Sequence, residues 1–240
     1  MDRKDSLPFD VTPRTESMSR SLMANVFGWM FVAMIITAVS AFFAASSSSF
    51  LQLIYKPEGG FTIMGWVVTL APLLLVFMMS AAINRMSSLA LSLLYIVYSV
   101  LMGLSLSYIF LLFSFSNIFK AFAVAALMFG VMAVAGYVTK TDLSRFGSIL
   151  MMALVGIIIA TLVNFFTKSE TMDYVICILG VLIFTGLTAW DVQKIKNTAV
   201  IDFANGDTMR KVAIWGALSL YLDFVNLFVF LLRIFGRNNN

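Results

Sequence analysis

Seven long apolar segments, separated by short polar connections, dominate the pattern of this chain. They cover residues 26–45, 63–83, 89–113, 118–138, 147–166, 174–190 and 212–235. Each is close to the roughly 20 residues that a helix needs to cross the hydrocarbon core of a bilayer. Because the connections are short, all seven belong to one bundle. The pattern therefore predicts an all-α integral membrane protein with seven transmembrane helices.

Composition leads to the same fold class. Of the 240 residues, 61% are hydrophobic and only 12% are charged, whereas a soluble domain of this size needs more charge to cover its surface. The first stretch of the chain is polar and charged. We interpret residues 1–22 as a cytoplasmic tail, mobile or lying on the membrane surface, and residues 23–240 as a single transmembrane domain.

The basic residues predict an orientation for the bundle. With the N-terminus in the cytoplasm, eleven of the 16 Lys and Arg residues fall on the inner side of the membrane and five on the outer side. Lys and Arg are enriched in cytoplasmic connections, so this orientation is favoured. The basic residues are scattered at the ends of apolar segments, and we therefore predict no nucleic-acid partner.

Several common kinds of site are excluded by residue type. The chain has no histidine and one cysteine, Cys177. The usual zinc sites, Ser-His-Asp triads, histidine pH switches and intrachain disulfides are therefore absent. We predict no enzymatic activity and no resident cofactor. If the protein responds to pH, carboxylates with a perturbed environment are the expected sensors.

Two aspartates stand out by their depth. Asp223 lies in the middle of the last apolar segment, where insertion of a charge costs on the order of 2.5–3.5 kcal/mol. Ser219 and Asn226 lie at i−4 and i+3 from it and form a polar stripe on its helix face. A purely structural buried hydrogen bond is an alternative interpretation. Asp191 ends the sixth apolar segment, and an interfacial aspartate near Lys194 is the alternative interpretation there.

Four stretches resemble a known family. Residues 217–228 (ALSLYLDFVNLF), followed by 231–236, are similar to the C-terminal signature of the Bax inhibitor-1 family of transmembrane proteins. Residues 190–196 (WDVQKIK) resemble that family's motif at the end of the sixth helix, and residues 102–106 and 137–143 are also similar. The resemblance covers nearly the whole chain after the tail and extends to bacterial members.

The resemblance implies an architecture and a mechanism. It implies a seven-helix bundle with the last helix at its centre, in a bacterial plasma (inner) membrane. It also implies that Asp191 and Asp223 form a carboxylate pair that binds protons and gates a calcium leak. In some members an arginine from the region of the second helix pairs with the sixth-helix aspartate, and Arg85 is the candidate for that latch here.

Physical reasoning about a carboxylate pair leads to a similar mechanism. Two carboxylates close together in a low-dielectric site cannot both ionise cheaply, so they share a proton near neutral pH. Ca²⁺ requires six to eight oxygen ligands. Asp191 and Asp223, supported by Asn226, Ser219, backbone carbonyls and water, would give a weak and transient Ca²⁺ site. For the two aspartates to meet, the seventh helix must begin below the membrane surface.

We therefore expect a pH-sensitive calcium leak channel, with lipid, Ca²⁺ and protons as its partners. The alternative is a membrane-embedded modulator that binds another membrane protein, such as a membrane protease, without transport. An intramembrane aspartyl protease is disfavoured, because Tyr221 and Leu222 precede Asp223 where such proteases place Gly-x-Gly, and no proline follows Pro72.

Overall fold

The computed structural model describes residues 13–56, 60–83, 85–198 and 206–237. Within these ranges the chain forms nine helices and no β-strand. The helices are α1 (Pro13–Ser46), α2 (Ser48–Ile54), α3 (Ile63–Ala82), α4 (Ser88–Leu106), α5 (Ile109–Leu112), α6 (Phe115–Val138), α7 (Ser144–Thr167), α8 (Glu170–Thr198) and α9 (Gly206–Arg237). Seven spans, with α4 and α5 counted as one, are long and apolar enough to cross a membrane. The predicted seven-helix membrane bundle is confirmed.

Helix α9 forms the centre of the bundle. It packs against α8, α6, α1 and α4, and its residues Ala217, Leu218, Leu220 and Tyr221 are fully buried. A helix that is apolar on all sides is stable only when other helices surround it or lipid does. The central position of the last helix, which the sequence resemblance implied, is confirmed.

Helices α3 and α7 lie at the edge of the bundle. In the described residues, the extensive contacts of α3 are with α4 and α2, and those of α7 are with α8. Both helices expose large apolar side chains, such as Leu74 and Phe77 on α3 and Ile159 and Phe166 on α7. These side chains suit a lipid environment. Because α3 and α7 do not pack closely on each other, a lateral gap remains between them.

Helix α1 begins at Pro13, within the stretch that the sequence analysis assigned to the polar tail. Proline suits the first helical turn, where its missing N–H has no partner to lose. Glu16 lies in the same turn, where the helix dipole favours negative charge. Ser19 and Leu22 are buried, so this part of the chain belongs to the bundle. Residues 1–12 of the predicted tail lie outside the described residues.

The sixth span is much longer than its apolar segment. Helix α8 continues to Thr198, so Asp191 lies within the helix and not at its end. The reason is a tertiary contact with the connection between α6 and α7. The side-chain amide of Gln193 donates to the carbonyl oxygen of Thr141, and its oxygen accepts from the N–H of Leu143, both at 2.8 Å. This contact stabilises a helical extension whose sequence is less apolar.

The last span also begins before its apolar segment. Helix α9 starts at Gly206, ahead of Arg210 and Lys211. Lys211 forms an ion pair with Asp207 one turn earlier, with 3.1 Å between the charged atoms. The helix therefore starts before these two basic residues, and its start below the membrane surface stays a prediction.

Candidate functional site

Asp223 occupies a buried position in the middle of α9. Its side chain is only 5% exposed, and in the described part of the chain its Oδ2 atom has no hydrogen-bond partner. Burial of an unpartnered polar group is costly. In a membrane span, a residue of this kind is by default a candidate for function.

Asp223 and Asp191 line the same cavity. This cavity, of about 500 Å³, lies between α7, α8 and α9, and Ser219 and Asn226 also line it. The structure thus brings together four of the residues that the sequence singled out, and the polar stripe on α9 points into one space.

A second cavity shares two lining residues, Asp191 and Ser219, with the first. It has a volume of about 420 Å³ and is lined by residues near the C-terminal end of α8 and the N-terminal end of α9, including Lys194 and Lys211. Asp191 lines both cavities, whereas Asp223 lines only the first.

Lys194 lines the second cavity together with Asp191. It follows Asp191 by three positions, on the same helix face. Its ammonium group lies 5.1 Å from the centre of the Trp190 ring, a cation–π distance. Sequence reasoning named Lys194 only as a sign of an interfacial aspartate. In the structure, Asp191 both lies near Lys194 and lines the deep cavity, which is the cavity that also contains Asp223.

Arg85, the candidate latch, lies elsewhere. It is exposed in the turn that follows α3 and lines neither of the two cavities. The ion pairs of the described residues join Lys211 to Asp207, Arg233 to Asp173 and Arg237 to Glu170. A pair between Arg85 and Asp191 is therefore not formed in this structure.

Close packing on α7 holds the helix segment that carries Asp191. The indole ring of Trp190 packs directly on Gly147, where a Cβ atom would collide with the ring. Only glycine leaves room for an indole at this distance. The neighbouring side chain, Asp191, is therefore carried by a segment of α8 with little freedom to shift sideways.

The opposite side of α9 is anchored by a polar contact. The hydroxyl groups of Tyr221 and Thr37 are 2.7 Å apart, and Thr37 donates to the carbonyl oxygen of Ser99 at 2.9 Å. Tyr221 precedes Asp223 by two positions and so points to the other side of the helix. This contact with α1 and α4 fixes the rotation of α9 that turns Asp223 toward the cavity. Sequence reasoning missed it.

Two aromatic rings lie at the far end of the deep cavity, away from Asp191. The rings of Phe184 and Phe230 lie 5.9 Å apart at their centres and both line the cavity. Further along the same two helices, Asp173 and Arg233 form an ion pair. Sequence reasoning missed this pair, although opposite charges at the matching ends of the last two apolar segments were a usable signal.

The chemistry of the cavity suits weak cation binding. Two carboxylates, the hydroxyl of Ser219 and the amide of Asn226 line it, and the amide N–H of Asn226 is engaged by the carbonyl of Leu222 at 2.8 Å. In the described residues, no cluster of three or more His, Cys, Asp or Glu side chains is arranged to hold a metal ion. An ion at Asp191 and Asp223 would need water to complete its oxygen shell.

Comparisons with known proteins place the chain among bacterial membrane proteins. Residues 19–240 match the profile of the family described as "Inhibitor of apoptosis-promoting Bax1". The chain is 44% identical to the inner membrane protein YbhL of Escherichia coli K12, over 95% of this chain and 98% of YbhL. It is 39% identical to an uncharacterized protein of Borreliella burgdorferi, with 93% and 94% covered. It is 36% identical to the uncharacterized protein RP147 of Rickettsia prowazekii, with 92% and 91% covered.

Proposed function

Because the chain belongs to the family of inhibitors of apoptosis-promoting Bax1, we propose that this membrane protein is a pH-sensitive calcium leak channel gated by Asp191 and Asp223. The observation that carries the proposal is the cavity shared by these two carboxylates. Asp191 also belongs to the cavity that leads to the helix ends. A cation that enters there meets Asp191 first and Asp223 next.

Protons and Ca²⁺ compete for the same oxygen atoms. When one carboxylate holds a proton, the pair carries a single negative charge and attracts a divalent ion weakly. When both are ionised, their repulsion in a low-dielectric site is offset by a bound cation. Ser219, Asn226 and water supply further oxygen ligands. The leak therefore needs a higher Ca²⁺ concentration as the pH falls.

We propose that the protein lies in the bacterial inner membrane with its N-terminus in the cytoplasm. Its relative YbhL is named an inner membrane protein, and the Lys and Arg distribution favours this orientation. The cavity with Lys194 and Lys211 would then open to the cytoplasm. The end of the deep cavity at Phe184 and Phe230 would face outward, and an ion would have to pass these two rings.

Calcium flux into liposomes tests the proposal. The full chain is reconstituted with an enclosed calcium dye, and flux is recorded against Ca²⁺ concentration at several pH values. We expect Asp223→Asn and Asp191→Asn each to lower the flux at least roughly tenfold, which corresponds to about 1.4 kcal/mol. Both variants should also change the pH dependence of the flux, because the single remaining carboxylate titrates without the repulsion of its partner.

Asp142→Asn serves as the matched control. Asp142 is exposed in the connection between α6 and α7 and lines neither cavity. The N–H and hydroxyl of Ser144 hold its pKa below the usual range, so it stays ionised near neutral pH. The calcium flux of the Asp142→Asn variant should equal that of the wild type. Unchanged calcium flux in both Asp223→Asn and Asp191→Asn would reject the channel and favour a protein that modulates other membrane proteins. Copurification of partners from membranes would then test that alternative.

A further inference from the structure

The deep cavity opens sideways toward lipid. Its rim is formed by Leu73 of α3 and by Ile158 and Leu162 of α7, whose side chains are 54%, 52% and 60% exposed. These two helices pack mainly on α4 and on α8, respectively, and not on each other. The gap between them leads from the lipid-facing surface to the carboxylates. A molecule dissolved in the membrane can therefore reach the site without crossing the rest of the bundle.

The cavity combines two chemistries. The side toward lipid is apolar, with Met151, Leu154 and Ile157 beside the rim residues, whereas Asp191 and Asp223 lie on the opposite wall. Asp223 is only 5% exposed, and its Oδ2 atom has no hydrogen-bond partner among the described residues. Lys194 lines the other cavity and not this one. Among the described residues, no Lys or Arg side chain lines this cavity, so none neutralises the carboxylate of Asp223 there.

We infer that the cavity binds a lipophilic ammonium ion, a protonated amine on an unbranched apolar chain, which enters from the lipid between α3 and α7. The ammonium group supplies hydrogen bonds and positive charge to Asp223 and Asp191, and the chain lies along the apolar rim. The volume of about 500 Å³ is within the range of small-molecule sites. An apolar chain with an uncharged head group would leave the negative charge of Asp223 without a counter-charge, and it is therefore the weaker ligand.

The inference extends the proposed function and rests on it in one respect. Binding follows from the cavity alone, whereas inhibition requires that the same carboxylates carry the calcium leak. A bound ammonium ion occupies the oxygens that Ca²⁺ would use. We therefore expect a lipophilic amine to block the leak from within the membrane.

Binding is measured with the full chain in lipid nanodiscs, using radiolabelled dodecylamine and empty nanodiscs to subtract partitioning into lipid. We expect saturable binding that unlabelled dodecanol, with the same chain and no charge, does not displace. Asp223→Asn should weaken the binding at least roughly tenfold. The same proteins in liposomes then give the calcium flux with and without dodecylamine.

Two adjacent positions on α7 provide a steric test with a matched control. Ile158 lines the cavity, and Ile159 does not, yet their side chains are similarly exposed at 52% and 57%. Ile158→Trp should fill the entrance and abolish saturable binding, whereas Ile159→Trp should bind as the wild type does. Neither substitution touches the buried core, so both proteins should fold.

The outcomes separate the two proposals. Dodecanol competing as well as dodecylamine, equal binding by the two tryptophan variants, or wild-type binding by Asp223→Asn would each overturn the inference and leave only partitioning into the membrane. Saturable, Asp223-dependent binding without any calcium flux would uphold the site and reject the channel. Aspartate-dependent flux without saturable binding would reject the site alone.

Discussion

At the scale of single residues, Asp223 was recognisable from the sequence, whereas the contact that orients its helix was not. A carboxylate surrounded by apolar neighbours along the chain is conspicuous in any membrane segment. The hydroxyl pair of Tyr221 and Thr37 joins positions that are 184 residues apart, and no local pattern marks it. Arg85 shows the converse difficulty, since its place after the second span suggested a latch that the described geometry does not form.

The contact between Tyr221 and Thr37 yields a prediction about stability. Tyr221→Phe removes the hydroxyl group and leaves the ring packing in place. Because Thr37 already donates to Ser99, the lost bond is the one that Tyr221 donates. We expect the free energy of unfolding in mixed micelles to fall by about 1 kcal/mol.

Tyr174→Phe is the control for that measurement. Tyr174 is 42% exposed on α8, and its loss of a hydroxyl should change the unfolding free energy by less than about 0.5 kcal/mol. Equal effects of the two substitutions would show that the buried hydroxyl pair does not anchor α9.

At the scale of helices, the sequence predicted the number and approximate position of the spans because apolar length is a local property. It failed at the ends of α8 and at the start of α1, where buried residues and the contacts of Gln193 extend the helix. A glycine in an apolar segment does not by itself show where two helices approach closely. Gly136 lies against the backbone of Ala189 on α8, whereas Gly130 on the same helix has open space.

These two glycines give a matched pair of substitutions. Gly136→Ala would push a Cβ atom into the carbonyl group of Ala189, which cannot move without shifting α8. We expect a loss of about 1–3 kcal/mol in the unfolding free energy. Gly130→Ala should be neutral or stabilising by up to about 1 kcal/mol, since alanine favours the helix more than glycine does. Similar losses at both positions would contradict the packing of α6 on α8.

At the scale of the whole molecule, the membrane class and the family followed from sequence, while the cavities did not. A cavity depends on which helices fail to meet, and the gap between α3 and α7 leaves no mark in either segment. The proximity of Asp191 and Asp223 was expected from the family resemblance, which required α9 to begin below the membrane surface. Their common cavity is a property of the assembled bundle.

The orientation of the whole bundle can be tested with two exposed serines. Ser116 lies in the first turn of α6, and Ser144 begins α7 after the other end of α6, so the two serines lie at opposite membrane faces. With Cys177 replaced by alanine, we expect Ser116→Cys to react with an impermeant thiol reagent in intact cells. Ser144→Cys should react only after the membrane is permeabilised. The reverse pattern would place the N-terminus outside.

The central position of α9 has a consequence for biosynthesis. The ribosome makes six spans before it makes the one that they surround, and until then the faces of α1, α4, α6 and α8 that α9 covers have no protein neighbour. A polypeptide that stops before Gly206 would keep most of its hydrophobic length and lose its interior, which would make it a natural target for membrane quality-control proteolysis.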